Sequence, residues 1–300
     1  MIESNLSKVK KGQVTNKYDL IVCDFMSMSY KYFYGLKNLS NRNGEKTGLY
    51  HGFFQCLLNK ITESPRSKVI IAHEGDHLVR KQMSSLYKSQ RKKRPDELQL
   101  ACNRLRDLLS MFGADQRFIP GYEADDVAGS VVKGYRKALL ISGDMDWCQI
   151  LRKNFCILQD GKEISYDKLE KKLGYPPDRI LIYKLLTGDS SDHIKGISGF
   201  PIELAIEFAK NCKTLKEVYS YIPIKKEHRC WVESIKKEKE NNVERYGLLK
   251  IKDDGIMEEV ICQERKNLIK FKKELLKLEL FKVLNLTKNL ENSGYFRKKA

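Results

Sequence analysis

Long apolar runs are missing from this 300-residue chain, because Lys and Glu interrupt every apolar stretch before it reaches the length of a bilayer span. The opening MIESNLSKVKKGQ lacks the apolar core of a secretory signal. The eight cysteines include no C-x-x-C pair, so they read as reduced thiols, mostly core, rather than a zinc site or a disulfide framework. Acids are outnumbered: 39 Asp+Glu against 56 Lys+Arg leave a formal charge of +17, with a pI near 9.4. That excess points to a polyanion, either nucleic acid or an acidic membrane surface. A basic amphipathic helix with interfacial aromatics is absent too, which argues against the membrane. Hydrophobic residues at 41% suffice for a sizeable core and exclude a fully disordered chain, despite 32% charged residues. The expectation is a soluble, basic, intracellular protein.

Short apolar runs rich in Val, Ile and Leu punctuate the first half: 18–25 (YDLIVCDF), 68–73 (KVIIAH), 117–120 and 137–143 (KALLISG). Their length suits strands buried on both faces. Between them lie helical stripes, Leu49, Phe53, Leu57, Leu58 and Ile61, then Leu98, Ala101, Leu105, Leu108 and Phe112. Strand–helix alternation predicts an α/β fold with a mostly parallel sheet and right-handed crossovers. Beyond about residue 178 the pattern reads as all helical, ending in a Lys-rich amphipathic helix marked by Leu268, Phe271, Leu275 and Leu278. The predicted division is an α/β part, 1–186, and a helical part, 187–300. Residues 225–245 read as a solvated, partly mobile helix or loop.

The acids fall at informative places. Asp24 closes the first predicted strand; Glu74 and Asp76 follow the second, in AHEGD. Glu123, Asp125 and Asp126 lie in GYEADDV, Asp144 and Asp146 in SGDMDW, and Asp189 and Asp192 in GDSSD after a helix at 180–186. In a parallel sheet the carboxyl ends of the strands share one edge, where ligand sites form. Acids scattered along the chain would therefore converge there. Converged carboxylates repel one another unless a cation neutralises them, and oxygen-only ligands suit Mg²⁺ or Mn²⁺ rather than Zn²⁺. The number of acids suggests two ions about 4 Å apart, as in nucleases and phosphatases. Taken singly, each Asp reads as a helix cap or dipole partner; five ordered clusters do not.

The order strand-Asp, acid plus a basic Tyr-Lys-x-x-Arg segment, E-A-D-D, G-D-x-D, then G-D-x-x-D with G-I-x-G resembles the 5′-nuclease or flap endonuclease family. The resemblance runs from about Tyr18 to Phe208. It implies a Rossmann-like, mostly parallel sheet with a basic helical arch at about 78–98. A helical C-terminal region with a helix-hairpin-helix-type turn at 188–210 would follow. It implies that Asp24, the Glu74/Asp76 acid, Glu123 and Asp125 form the shell of a first Mg²⁺, with Asp126 close by. Asp144, Asp146, Asp189 and Asp192 would serve a second ion, and Mn²⁺ can substitute. Glu74 is preferred at the second strand end for its longer arm, with Asp76 as the alternative; His73 reads as packing and Trp147 as core.

Residues 80–94 (RKQMSSLYKSQRKKR) hold seven basic residues and no acid, which composition alone would assign to an exposed helix face or basic loop. The resemblance makes this segment the arch that a 5′ single strand threads. Arg80 would lie among its nucleic-acid contacts, and Tyr87 would stack on a base. Lys88 would reach the scissile phosphate, while Arg91, Lys92, Lys93 and Arg94 would grip the backbone. Lys31 would add a phosphate contact. Together with Asp24, Asp144 and Asp146, Lys88 makes up the implied catalytic set. Gly196 and Gly199 in GISGF would present backbone N–H groups to duplex phosphates, with a K⁺ ion at the turn. Pro201 and Glu203 depart there from the family's usual Gly and basic residue.

The implied activity is Mg²⁺-dependent 5′→3′ exonuclease and structure-specific flap endonuclease cleavage in replication or repair. The substrates would be DNA with 5′ flaps, nicks or RNA primers. A single-strand-binding protein is the implied partner, the chain a monomer, and the compartment the cytoplasm of a bacterium or phage-infected host. No polymerase region is legible after the nuclease motifs, as in free-standing phage-type members. The rivals are a PIN-type ribonuclease, which lacks the downstream G-D-x-x-D, and a DNA-binding protein whose nuclease site has decayed.

Overall fold

Residues 16–253, 259–260 and 266–296 are described in the computed structural model. The strands are β1 Leu20–Asp24, β2 Lys68–Ala72, β3 Asp115–Phe118, β4 Ala138–Ile141, β5 Phe155–Gln159, β6 Lys162–Ser165, β7 Gly188–Asp189, β8 Ile194–Lys195 and β9 Glu259–Val260. The helices of the first half are α1 Phe25–Gly35, α2 Gly48–Glu63, α3 Leu78–Met83, α4 Asp96–Phe112, α5 Ala124–Val132 and α6 Tyr166–Leu173. Those of the second are α7 Ile180–Thr187, α8 Ile202–Asn211, α9 Leu215–Ser220, α10 Cys230–Lys237, α11 Lys239–Leu249, α12 Leu268–Lys277 and α13 Phe281–Asn292. Among the described residues no helix is long and apolar enough to cross a membrane. The described cysteines are all free thiols.

Seven strands form the main sheet in the order β6-β5-β4-β1-β2-β3-β9, parallel except at the two edges. All five residues of β1 are buried, because each of its neighbours is another strand and each of its faces a helix layer. Ile21 and Cys23 face one core and Leu20 and Val22 the other, which is the two-residue period of a strand. The chain steps outward from β1 to β2 to β3, then crosses back to place β4 on the other side of β1. A crevice opens at such a reversal, just outside the carboxyl ends of the strands. Asp24 at the end of β1 and Asp144 after β4 flank it.

One helix layer consists of α1, α2 and α4, completed by α12 and α13; the other contains α5 and α6. A third apolar cluster, built from α7, α8, α10 and α11, carries the β7–β8 ladder. Two expectations are corrected here. The region after residue 178 is not all helical, since β7, β8 and β9 interrupt it. Nor is 187–300 a unit apart: Phe271 packs on Phe54 and Phe112 with ring centroids 5.1 and 5.5 Å away. The amphipathic stripe was legible, but its partner is the first helix layer, which an isolated Lys-rich helix could not reveal. Residues 225–245 fold largely as helices α10 and α11.

Candidate active site

Each acid is delivered by a local device. Asp24 ends β1 and caps α1, accepting from Ser27 N at 2.9 Å and from Ser142 Oγ at 2.7 Å. Glu123 caps α5 in a reciprocal capping box with Asp126. Asp144 caps a short 3-10 turn that brings Asp146 inward, and Asp189 caps the turn leading to Asp192, accepting from Ser191 N at 2.9 Å. The result is a cleft of about 570 Å³ lined by Asp24, Glu74, Asp144 and Asp189, with Arg91 and Lys184 at its wall.

The carboxylates gather in two groups. Ligand atoms of Glu74, His77 and Glu123 lie within 4.8 Å of one another, as do those of Asp146, Asp189 and Asp192. Cations from the chain itself fill the space between them. Lys88 Nζ donates to Glu123 Oε2, Arg91 Nη2 to Asp192 Oδ1 at 2.6 Å, and Lys184 Nζ to Asp146 Oδ1 at 2.7 Å and Asp189 Oδ2 at 2.6 Å. Burial pushes Asp24 up to about 7, with Glu74 and Asp144 adding repulsion against the hydrogen bonds from Ser27 and Ser142. Burial likewise pushes Asp146 up to about 6 in spite of Lys184. Burial acts on Glu123 as well, but His77, Lys88 and Arg80 hold it well below the usual carboxylate range. Glu74 is raised by burial and by Glu123, and its Oε2 is buried with no hydrogen-bond partner.

This donor set fits divalent cations. It offers hard oxygen ligands, including the Glu74 Oε2 that lacks a hydrogen-bond partner, at a site whose carboxylates already gather Lys88, Arg91 and Lys184. Glu74, Glu123, Asp146, Asp189 and Asp192 are the best-placed holders, with Asp24 and Asp144 at the rim of the same cleft. Asp125 lies beside them, 3.8 Å from Arg80 Nη2, and burial pushes its pKa well up.

Other predicted residues fall elsewhere. Asp76 is not in either carboxylate group; its Oδ1 accepts from Leu78 N at 3.3 Å, so the structure favours Glu74. Asp126 is corrected from a metal-site acid to a buried structural one, its oxygens occupied by Arg80, Glu123 N and Lys252 N. Arg80, expected on nucleic acid, is 2% exposed and faces the interior. Tyr87, expected to stack on a base, is 3% exposed and donates to Asp192 and Glu123 at 3.1 and 3.2 Å. The expected arch is helical in α3 and again from Asp96 at the start of α4; between them Tyr87 and Lys88 turn inward, Lys88 N donating to Asp192 O at 3.2 Å, while most of the residues around them are exposed. Lys92 and Lys93 remain exposed and Arg94 is half-buried, bonded to Gln99 at 2.9 Å. Lys31 is exposed on α1 beside the cleft.

In the hairpin-type turn, a Cβ on Gly196 would lie 2.4 Å from Gly188 N, so that glycine permits close packing, while Gly199 takes φ +70. The sequence reading missed His77 and Lys184. His77 has Nδ1 2.9 Å from Glu123 Oε1 and a left-handed φ of 57. Its signal was its place three residues after Glu74. For Lys184, the signal was a lone cation one helical turn before Gly188-Asp189.

A switch-point cleft crowded with carboxylates defines a metal-dependent α/β enzyme that meets a polyanion. Residues 19–174 match the family described as 5′-3′ exonuclease, N-terminal resolvase-like domain. The chain belongs to this 5′-3′ exonuclease family and is a metal-dependent nuclease of the 5′ type. It is 28% identical over 276 residues to a 5′-3′ exonuclease of Aquifex aeolicus (strain VF5), covering 88% of this chain and 93% of that one. It is 29% identical to the DNA polymerase I of Caldicellulosiruptor bescii across 67% of this chain, but spans only 25% of that polymerase. Among solved structures, T5 5′-exonuclease with zinc bound superposes with a TM-score of 0.62 at 16% identity, over 91% of this chain and 98% of that one. Flap endonuclease-1 from Methanococcus jannaschii gives 0.55 at 13% identity, over 92% and 93%. These two likenesses establish the fold.

Proposed function

We propose that the protein is a Mg²⁺-dependent 5′→3′ exonuclease and flap endonuclease. It hydrolyses phosphodiester bonds at 5′ flaps, nicks and RNA primers of DNA during replication or repair. The observation that carries this reading is a cleft lined by Asp24, Glu74, Asp144 and Asp189, into which each carboxylate group sends one member (Glu74, grouped with Glu123, and Asp189, grouped with Asp146 and Asp192), with Lys88 and Arg91 bonded to Glu123 and Asp192.

Two Mg²⁺ ions, or Mn²⁺ in their place, would supply a water deprotonated near neutral pH and charge neutralisation on the phosphate. The chain's own residues do the rest. Glu74, Glu123, Asp146, Asp189 and Asp192 hold the cations, and Ser142 and Ser27 fix the Asp24 carboxylate in orientation. Lys88 and Arg91, already inside the cleft, exchange their carboxylate partners for phosphate oxygens as the substrate enters. Lys92, Lys93 and Lys31 draw the backbone in from outside, and the turn containing Gly196 and Gly199 binds the duplex arm. The same reading makes the enzyme a cytoplasmic monomer of a bacterial or phage-infected cell, acting where a single-strand-binding protein coats the displaced strand.

The test is incubation of end-labelled flapped, nicked and blunt duplexes with and without Mg²⁺, with the released fragments sized. Cation-dependent release from the 5′ side is expected. Tight binding of flapped DNA without cleavage in either Mg²⁺ or Mn²⁺ defeats the reading.

A further inference from the structure

We infer that Arg80 is a positioning residue that fixes the Glu123 carboxylate group and the inward turn at Tyr87 and Lys88 as one unit, without touching DNA. The inference rests on the reading of Glu123 as a cation ligand. Arg80 stands on α3, at the root of residues 84–95, yet its guanidinium is almost wholly buried. Nη1 and Nη2 donate to the two oxygens of Asp126 at 2.5 and 2.9 Å, a bidentate fork. Nε donates to Leu248 O at 2.9 Å and Nη2 also to Lys250 O at 3.2 Å. Asp126 in turn accepts from Glu123 N at 3.0 Å and from Lys252 N at 2.6 Å.

One ion pair thus joins three segments distant in sequence: α3, the start of α5, and the chain leaving α11. The fork carries direction as well as charge, because both carboxylate oxygens are engaged and the Asp126 backbone belongs to the first turn that presents Glu123. Arg80 Nη1 lies 3.9 Å from Glu123 Oε2, close enough to bias that carboxylate without spending one of its lone pairs. A second contact locks the same joint. Met83, at the end of α3, fills the space where a Cβ on Gly247 of α11 would sit, 2.2 Å from Met83 Cε. Partners that orient metal ligands from behind typically contribute 10- to 100-fold in metal affinity.

The experiment compares wild type with Arg80→Gln, Arg80→Lys and the paired Arg80→Gln/Asp126→Asn in the full chain. The pair is included because a lone substitution strands a buried charge and can cost folding by itself, whereas removing both charges does not. Three quantities are read: Mn²⁺ affinity by titration, the rate of tryptic cleavage after the buried Lys88 in this stretch (residues 88–94 otherwise being open to the protease), and affinity for flapped DNA in EDTA. For the paired variant we expect a near-native melting temperature, Mn²⁺ binding weakened about tenfold or more, faster cleavage after Lys88, and unchanged DNA affinity. Arg80→Lys, which keeps the charge but not the fork, should lie between this and wild type. Native Mn²⁺ affinity and native protease resistance in a folded paired variant overturn the inference, and so does a loss confined to DNA affinity. Failure of wild type to bind Mn²⁺ would instead sink the metal reading beneath it.

Discussion

The ammonium of Lys184 lies 2.6 Å from the carboxylate of Asp189, five residues further along the chain, and the same nitrogen reaches Asp146. It stands where two acids would otherwise face each other unscreened. Burial opposes its charge, yet Asp146 and Asp189 raise its pKa, so it stays protonated. Lys184→Met should therefore leave the metal-free protein about 2–3 kcal/mol less stable. Mn²⁺ should restore the difference, because a divalent ion can then neutralise the same pair. Thermal unfolding with and without Mn²⁺ checks this; an equal Mn²⁺ shift in variant and wild type contradicts it.

Asp144→Asn combined with Asp146→Asn removes two oxygens' worth of charge from the cleft while keeping their capping geometry. Cleavage of flapped DNA should be almost completely lost, with binding to the same DNA retained. Steady-state turnover and a gel-shift assay on one preparation separate the two. Undiminished turnover would contradict the assignment.

Away from the cleft, Glu163 on β6 accepts from Tyr18 OH and Lys60 Nζ, each at 2.7 Å, and from Lys17. Burial would raise its pKa, but these partners hold it at about 2, against an ordinary 4.5. A carboxyl depressed in the folded state stabilises above its unfolded pKa and loses that contribution as pH falls through the folded one. Glu163→Gln should thus cost about 1 kcal/mol at pH 7, allowing for solvent screening. The gap from wild type should shrink as pH falls from about 4.5 toward 2. Urea unfolding at pH 7 and pH 3 measures it, and a gap that widens in acid would refute the assignment.

Phe271 is fully buried against rings of α2 and α4. Phe271→Ala should destabilise the whole chain by about 3–5 kcal/mol, the usual cost of emptying a buried aromatic site. A single cooperative transition should be kept in calorimetry. A separate early transition would mean that the last helices fold apart from the sheet.

Much of the fold was legible because its signals are local. Three of the four central strands, β1, β2 and β4, are short Val/Ile/Leu runs closed by turns, while β3 (DQRF) shows only its end in the run at 117–120; acids after these strands read directly as a sheet-edge site. The edge strand β6 escaped because KEIS is largely polar, whereas β5, one place further in, carries an apolar FCIL run that the reading passed over. The site's acids were legible as types, but their partners were not. Nothing in RKQMSSLYK distinguishes the buried Arg80 and Tyr87 from the exposed Lys81, since burial here is decided by Asp126 and Asp192, 46 and 105 residues away. Lys184 was missed because the acids it bridges meet only after α7 turns into β7. The basic run suggested an arch threaded by a single strand; in the structure Lys88 and Arg91 bond to Glu123 and Asp192, while Lys92 and Lys93 stay exposed.

The docking of α12 and α13 on α2 and α4 has a consequence for biosynthesis. A growing polypeptide delivers every acid of the cleft before residue 193, yet the apolar layer beneath them stays uncovered until residues near 290 leave the ribosome. A truncated translation product ending after the hairpin-type turn would thus carry the acids for cutting DNA on an unfinished scaffold, and quality-control proteases would meet it before a chromosome did.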